Sequence, residues 1–238
     1  EVDPLWPKPL PNHWLLGSAI GVGVDSRDHV FVIHRRQSFN TRTEIGAAMN
    51  PPTGDCCFAA PNILEFDPEG NLVNSWGGPG EDYEWPSSNH GLSVDPKDNI
   101  WIGGNGRGDS HILKFSRDGK FLAQFGKPGV DEANSNTAEH FGRVAKISFN
   151  ASGEEAYVSD GYTNKRVAVL EAEVSGTETP RTDDERAAAL DLLDGIDDNL
   201  EASGGRAWMP AYDEDGEGTT LVGFVTAVYE VGSDYANE

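Results

Sequence analysis

One feature limits what this chain can fold into: a hairpin that keeps returning. Gly21–Asp25 (GVGVD) alternates apolar and small residues, enters a polar turn and resumes as Val30–Ile33 (VFVI). Gly91–Asp95 (GLSVD) does the same before Ile100–Ile102 (IWI), with PKDN between them, and Val144–Phe149 repeats it more loosely before Ala156–Val158. Alternation of period two around Asp, Asn, Pro and Gly is the signature of strand–turn–strand. A second hairpin follows each of the first two. Ile63–Phe66 leads through DPEG to Asn71–Gly77, and Ile112–Phe115 leads through SRDG to Lys120–Gly126. Its copies start 49 residues apart, at Ile63 and Ile112, and a third begins at Val167–Leu170. Two hairpins per repeat give four strands, and that strand count at that period is a propeller blade. A β-sandwich would also explain alternating strands, but not a repeating four-strand unit.

The fold class predicted is therefore all-β, a partial β-propeller over residues 14–171 with strands in groups of four, four and three, followed by a small acidic α+β segment. The boundary comes from charge. Residues 173–238 carry 17 Asp and Glu against 3 Arg, within a chain whose net charge is −22. The expected units are thus 1–171 and 172–238. In the tail, Thr182–Ile196 reads as a helix with acids in its first turn and a stripe of Ala189, Leu190, Leu192, Leu193 and Ile196. Two strands follow, Ala207–Tyr212 and Leu221–Tyr229, joined by an acidic turn at Asp213–Gly216. So negative a chain repels nucleic acid and anionic membranes, and no stretch approaches the roughly 18 apolar residues of a membrane-spanning helix. A small-molecule or peptide substrate is expected instead at the mouth of a propeller, which is a usual ligand site; nothing in the sequence sets an oligomeric state. Two cysteines, adjacent at Cys56 and Cys57, make no disulfide framework and read as two thiols. They lie in an insertion, Gln37–Ala60, between the second and third strands of the first blade. That insertion is either a functional loop or a cover for the blade.

Blade geometry gathers three groups of candidate residues. Strands alternate direction, so the start of the first strand and the end of the second share one face. His34 and Arg35 end a second strand, His90 opens a first strand, and Asp160, Gly161 and Tyr162 follow a second strand. Each has a plain alternative: a solvated arginine, a histidine bonded in a turn, and a good turn sequence. Their convergence on the mouth of a propeller, a concave place ringed by loops, is what raises a functional reading.

At these residues the chain resembles a known family. Val32–Arg35 (VIHR), Asn89–Asp95 (NHGLSVD) and Tyr157–Arg166 (YVSDGYTNKR) are similar, in order, to the peptidyl-α-hydroxyglycine α-amidating lyases and their bacterial relatives with NHL-type blades. The resemblance implies a secreted, six-bladed propeller, placed outside the cell or in the periplasm, of which this sequence holds about three blades. It implies a lyase that splits an α-hydroxyglycine-ended peptide into a peptide amide and glyoxylate. Arg35 and Tyr162 are then the catalytic pair, His90 is one of three histidines on a zinc ion (calcium being the other cation to weigh), and His34 and Asp160 sit beside the substrate. A non-catalytic propeller that binds a peptide or protein on the same loop face is the competing expectation. The tail resembles, more faintly, the first half of a GNAT-type acetyltransferase through Leu221–Thr226 (LVGFVT), without the glycine-rich loop that would hold coenzyme A. The sequence starts at Glu1, as a processed chain or a fragment would. An unclosed propeller leaves the last strand of its third blade unpaired. On that ground the 238 residues alone are expected to fold poorly or self-associate and to lack lyase activity.

Overall fold

A computed structural model describes residues 3–172 in full and the backbone of 207–212 and 220–230. The helix expected over 182–196 lies outside the described residues. Blade one is an antiparallel sheet of β2 (Ser18–Val24), β3 (Val30–Arg35), β5 (Ile63–Phe66) and β6 (Leu72–Trp76). Blade two is β7 (Asn89–Val94), β8 (Ile100–Gly104), β9 (Ile112–Phe115) and β10 (Phe121–Phe125), and blade three is β11 (Val144–Phe149), β12 (Glu155–Asp160) and β13 (Arg166–Glu171). The chain is a partial β-propeller. Among the described residues its helical structure is two single turns, Arg36–Ser38 and Gly46–Ala48, both between β3 and β5. No helix there is long and apolar enough to cross a membrane.

The turns show why the repeats fold alike. Asp25 Oδ1 accepts the backbone N–H of Arg27 and His29 at 2.9 and 2.8 Å, and Asp95 Oδ1 accepts those of Lys97 and Asn99 at 2.9 Å each. In blade three Asn150 takes the role, accepting from Glu154 and Glu155. A short acceptor that closes its own turn is what Asp and Asn supply.

Successive residues of a strand face opposite ways, so blade two interlocks with blade one on one face and blade three on the other. Ile100 and Ile102 of β8 join Phe31, Ile33, Ile63, Leu113 and Phe115 in the core between blades one and two. Trp101, between those two isoleucines, joins Phe125, Val144, Ile147, Val158 and Leu170 in the core between blades two and three. The other face of blade one, Val32, Leu64 and Phe66, is covered by Trp6, Leu10, Trp14 and Leu16 from the N-terminal segment. The insertion shares in this cover: β4 (Phe58–Ala59) pairs in parallel with β1 (Trp14–Leu15), and Ala60 is fully buried there. Within the insertion Cys56 and Cys57 are joined to each other as a disulfide, which corrects the expectation of two thiols.

The inner strands approach closely where glycine allows it. A Cβ on Gly21 would sit 2.6 Å from the Leu92 backbone nitrogen of β7. Gly21→Ala should therefore force the two strands apart and lower the unfolding free energy by about 1–3 kcal/mol, the usual consequence of overpacking. Gly161→Ala is the control, because its Cβ would meet nothing within 4 Å. Urea midpoints of the two variants check this, and equal midpoints would refute it.

The unpaired edge expected of blade three is corrected. β15 (Thr220–Glu230) pairs antiparallel with β13, with Ala168 opposite Val228 and Leu170 opposite Val225. β14 (Ala207–Tyr212) pairs with β15 and with β10, so blades two and three share one nine-stranded sheet. An open row of backbone donors and acceptors is a template for any strand within reach, and the two tail strands meet it despite the acidity of the segment that carries them.

Candidate functional site

Three blades contribute to one cluster at the mouth. Arg35, at the end of β3 and half-buried, reaches across the blade boundary. Its Nε donates to the Asn89 carbonyl at 3.1 Å and its Nη2 to Asn105 Oδ1 at 2.8 Å. His90 follows Asn89 on β7 at a bulge: it pairs with Gly103, Leu92 pairs with Ile102, and Gly91 between them has φ +75°, which glycine adopts without strain. Tyr162 comes from the loop after β12, and its hydroxyl lies 2.9 Å from His90 Nε2. The two rings meet edge to face at 5.4 Å between centroids. Tyr162 is 53% exposed, so the pair is open to a ligand. Arg35, His90 and Tyr162 are thus brought together.

The electrostatics favour a neutral histidine. Burial lowers the His90 pKa from its ordinary value, and the charge of Arg35 lowers it further. Its Nδ1 is buried and makes no hydrogen bond. A neutral imidazole beside a phenol can give or take one proton at Nε2.

His34 and Asp160, expected beside the substrate, lie away from this cluster. His34 is fully buried; its Nδ1 accepts the Gly17 N–H at 3.1 Å, which leaves Nε2–H to donate to the Pro61 carbonyl at 2.8 Å. It precedes Arg35 in a strand, so the two side chains face opposite ways and cannot both reach the mouth cluster. Asp160 is fully buried too. Its Oδ1 accepts the Gly142 N–H at 2.6 Å, and its Oδ2 accepts Asn164 Nδ2 and Arg166 Nε at 2.8 Å each. Arg166 stands directly opposite Asp160 in the β12–β13 register and donates onward to the carbonyls of Ser135, Thr137 and His140. This network fixes both ends of the Gly161–Lys165 loop and so holds Tyr162 in place. An acid and an arginine facing each other across a hairpin is a signal the sequence carried.

Burial lowers the His34 pKa as well, and protonating Nδ1 would break its bond to Gly17. The sign follows from linkage. A folded pKa below the unfolded value of about 6.5 adds stability that is present above that value and lost as pH falls beneath it. Between pH 7.5 and 5.5 the urea midpoint of the protein should fall further than that of His34→Gln, whose amide can keep both hydrogen bonds without titrating. Equal losses would show that His34 does not titrate this way.

Asn105 was missed. It stands ten residues after Asp95, as Arg35 stands ten after Asp25 and Asp160 ten after Asn150, so the repeat itself marked the position. Also unforeseen is a clasp at the opposite end of the blades. Asp25, His29 and Glu65 place three ligand-type atoms together, but the guanidinium of Arg117 from blade two fills the cluster. Its Nε donates to Asp25 at 2.7 Å, and its Nη2 contacts His29 and Glu65. This is an ion-paired join between blades. A concavity of about 550 Å³ between the inner strands, lined by Val22, Leu92, Asp95 and Ile147 among others, opens at that same end and not at the Tyr162–His90 pair.

A catalytic zinc ion takes about three protein ligands. Among the described residues no further His, Cys, Asp or Glu joins His90 in a ligand cluster, so these residues alone do not fit zinc.

No family model matches the chain. Among solved structures, a gluconolactonase from Xanthomonas campestris aligns with a TM-score of 0.36 at 14% identity, over 61% of this chain and 36% of its own. A protein of unknown function from Bacteroides thetaiotaomicron aligns with a TM-score of 0.40 at 12% identity, over 65% of this chain and 33% of its own. Among curated proteins, the chain is 25% identical over 175 residues to peptidyl-alpha-hydroxyglycine alpha-amidating lyase 1 of Drosophila melanogaster. That match takes in 68% of this chain, which spans only 28% of the fly protein's length.

Proposed function

We propose that the mouth of this propeller carries out lyase chemistry on an α-hydroxylated, carboxylate-bearing substrate, cleaving peptidyl-α-hydroxyglycine to a peptide amide and glyoxylate. The observation that carries the reading is the Tyr162–His90 pair at 2.9 Å, built from two blades, with Arg35 of a third acting on the same histidine. The similarity to an amidating lyase supports it. Cleavage removes the proton of the substrate hydroxyl, turns that C–O bond into a carbonyl, breaks the carbon–nitrogen bond and returns a proton to the departing amide nitrogen. Tyr162 accepts the hydroxyl proton as its own passes to the neutral ring of His90, and the pair then returns one to the nitrogen. Arg35 pairs with the substrate carboxylate, for which a guanidinium is the best-shaped partner. Zinc at His90 is proposed only with further ligands from outside the described residues.

The test is glyoxylate release from α-hydroxyhippurate by the protein, with its bound metal measured alongside. Release in proportion to protein supports the lyase. Peptide binding without release supports instead the non-catalytic propeller. One feature favours that second reading: a groove of about 770 Å³ lined by Glu81, Asp82, Tyr83, Glu84 and Lys127, suited to a basic peptide.

A further inference from the structure

We infer that Asn105 is a positioning residue of this site: it locks the Arg35 guanidinium across the boundary between blades one and two, in the orientation that meets a substrate carboxylate. The inference rests on the lyase reading for its substrate, but its structural half stands on the hydrogen bonds alone.

Asn105 Oδ1 accepts from Arg35 Nη2 at 2.8 Å and from Ser88 Oγ at 2.9 Å, so both lone pairs of the amide oxygen are used. The backbone of Asn105 donates to the Ser88 carbonyl at 2.9 Å. Asp109, only 3% exposed, braces these segments from below. It accepts the N–H groups of Ser87, Ser88 and Gly106 at 2.7, 2.9 and 2.7 Å. Arg35 is therefore fixed at two points, Nε on the Asn89 carbonyl of β7 and Nη2 on Asn105 just after β8. Two anchors define the plane of a guanidinium, and that plane is tied to the backbone beside His90. Nη1 has no hydrogen bond among the described residues and is left as the donor for a ligand.

The residue type suits the task. An aspartate at 105 would hold Arg35 equally well but would cancel its charge. An amide orients the guanidinium and leaves the whole positive charge for the substrate anion. The repeat gives the same residue position opposite duties: arginine in blade one, and in blade two the amide that holds it.

The experiment uses the 238-residue chain labelled with ¹⁵N-arginine, with Arg35 assigned through Arg35→Lys. It follows the mobility of Arg35 Nε–H by NMR relaxation and the affinity for α-hydroxyhippurate and for its carboxamide by calorimetry. Asn105→Ala should free the Arg35 side chain and weaken α-hydroxyhippurate binding about tenfold, the loss of one well-placed charged contact. Binding of the carboxamide should barely change. Asn105→Asp should keep Arg35 rigid yet still lose carboxylate affinity, a split that simple unfolding of the loop would not give. Arg35→Ala with Asn105→Ala should bind no more weakly than Arg35→Ala alone, because Asn105 acts through Arg35. Unchanged Arg35 mobility in Asn105→Ala overturns the inference outright. If Arg35 is freed but the unmutated chain does not distinguish the acid from its carboxamide, the hold of Asn105 on Arg35 stands and the lyase reading falls.

Discussion

Replacing Arg166 with alanine should lower the unfolding free energy by about 3–5 kcal/mol, because it strands a buried carboxylate. Arg166 is 2% exposed and Asp160 fully buried, so water cannot take over the lost partner. The same change removes three donors from the carbonyls of Ser135, Thr137 and His140. The double variant Asp160→Ala, Arg166→Ala should lose much less than the sum of the two single changes, since no uncompensated charge is left. Urea unfolding of the four proteins measures this. An additive double variant, or a loss below about 1 kcal/mol for Arg166→Ala, would show that the pair does not hold the segment as described. The consequence for the site is direct. With the Gly161–Lys165 loop released, the Tyr162 hydroxyl loses its register with His90, and the variant should lose activity even under conditions where it stays folded.

Tyr162→Phe separates chemistry from stability in the opposite sense. The side chain is more than half exposed and, among the described residues, its hydroxyl bonds only to His90, so removing one oxygen should change stability by no more than about 0.5 kcal/mol. If the Tyr162–His90 pair moves the protons, glyoxylate release should fall by about 10²-fold or more, the usual contribution of a positioned acid–base group. The fall should appear in kcat, with KM near its original value, because the carboxylate is held at Arg35. Retention of more than about a third of the original kcat would exclude Tyr162 from proton transfer. A fall confined to KM would make it a binding residue and turn the reading towards a propeller that recognises peptides.

Much of the fold was legible in the chain because its causes are local. Period-two alternation, a turn acceptor at Asp25, Asp95 and Asn150, and glycines closing the DPEG and SRDG turns each act within a few residues. These fixed the strands and their grouping by four. The meeting of Arg35, His90 and Tyr162 followed from blade geometry, with no side-chain contact known in advance. What an individual polar side chain does there depends on its neighbours in other blades, and tertiary packing alone decided it. β3 is buried on both faces, so its apolar run could not show that His34 turns into the fold while Arg35 turns to the mouth. The filling of the Asp25–His29–Glu65 cluster by Arg117, the bracing of Arg35 by Asn105 and the pairing of β15 with β13 join residues 52 to 92, 70 and about 60 positions apart. The repeat marks position 105 but not its partner, and the other contacts carry no periodicity; all exist because packed blades bring distant strand ends and edges within hydrogen-bonding reach.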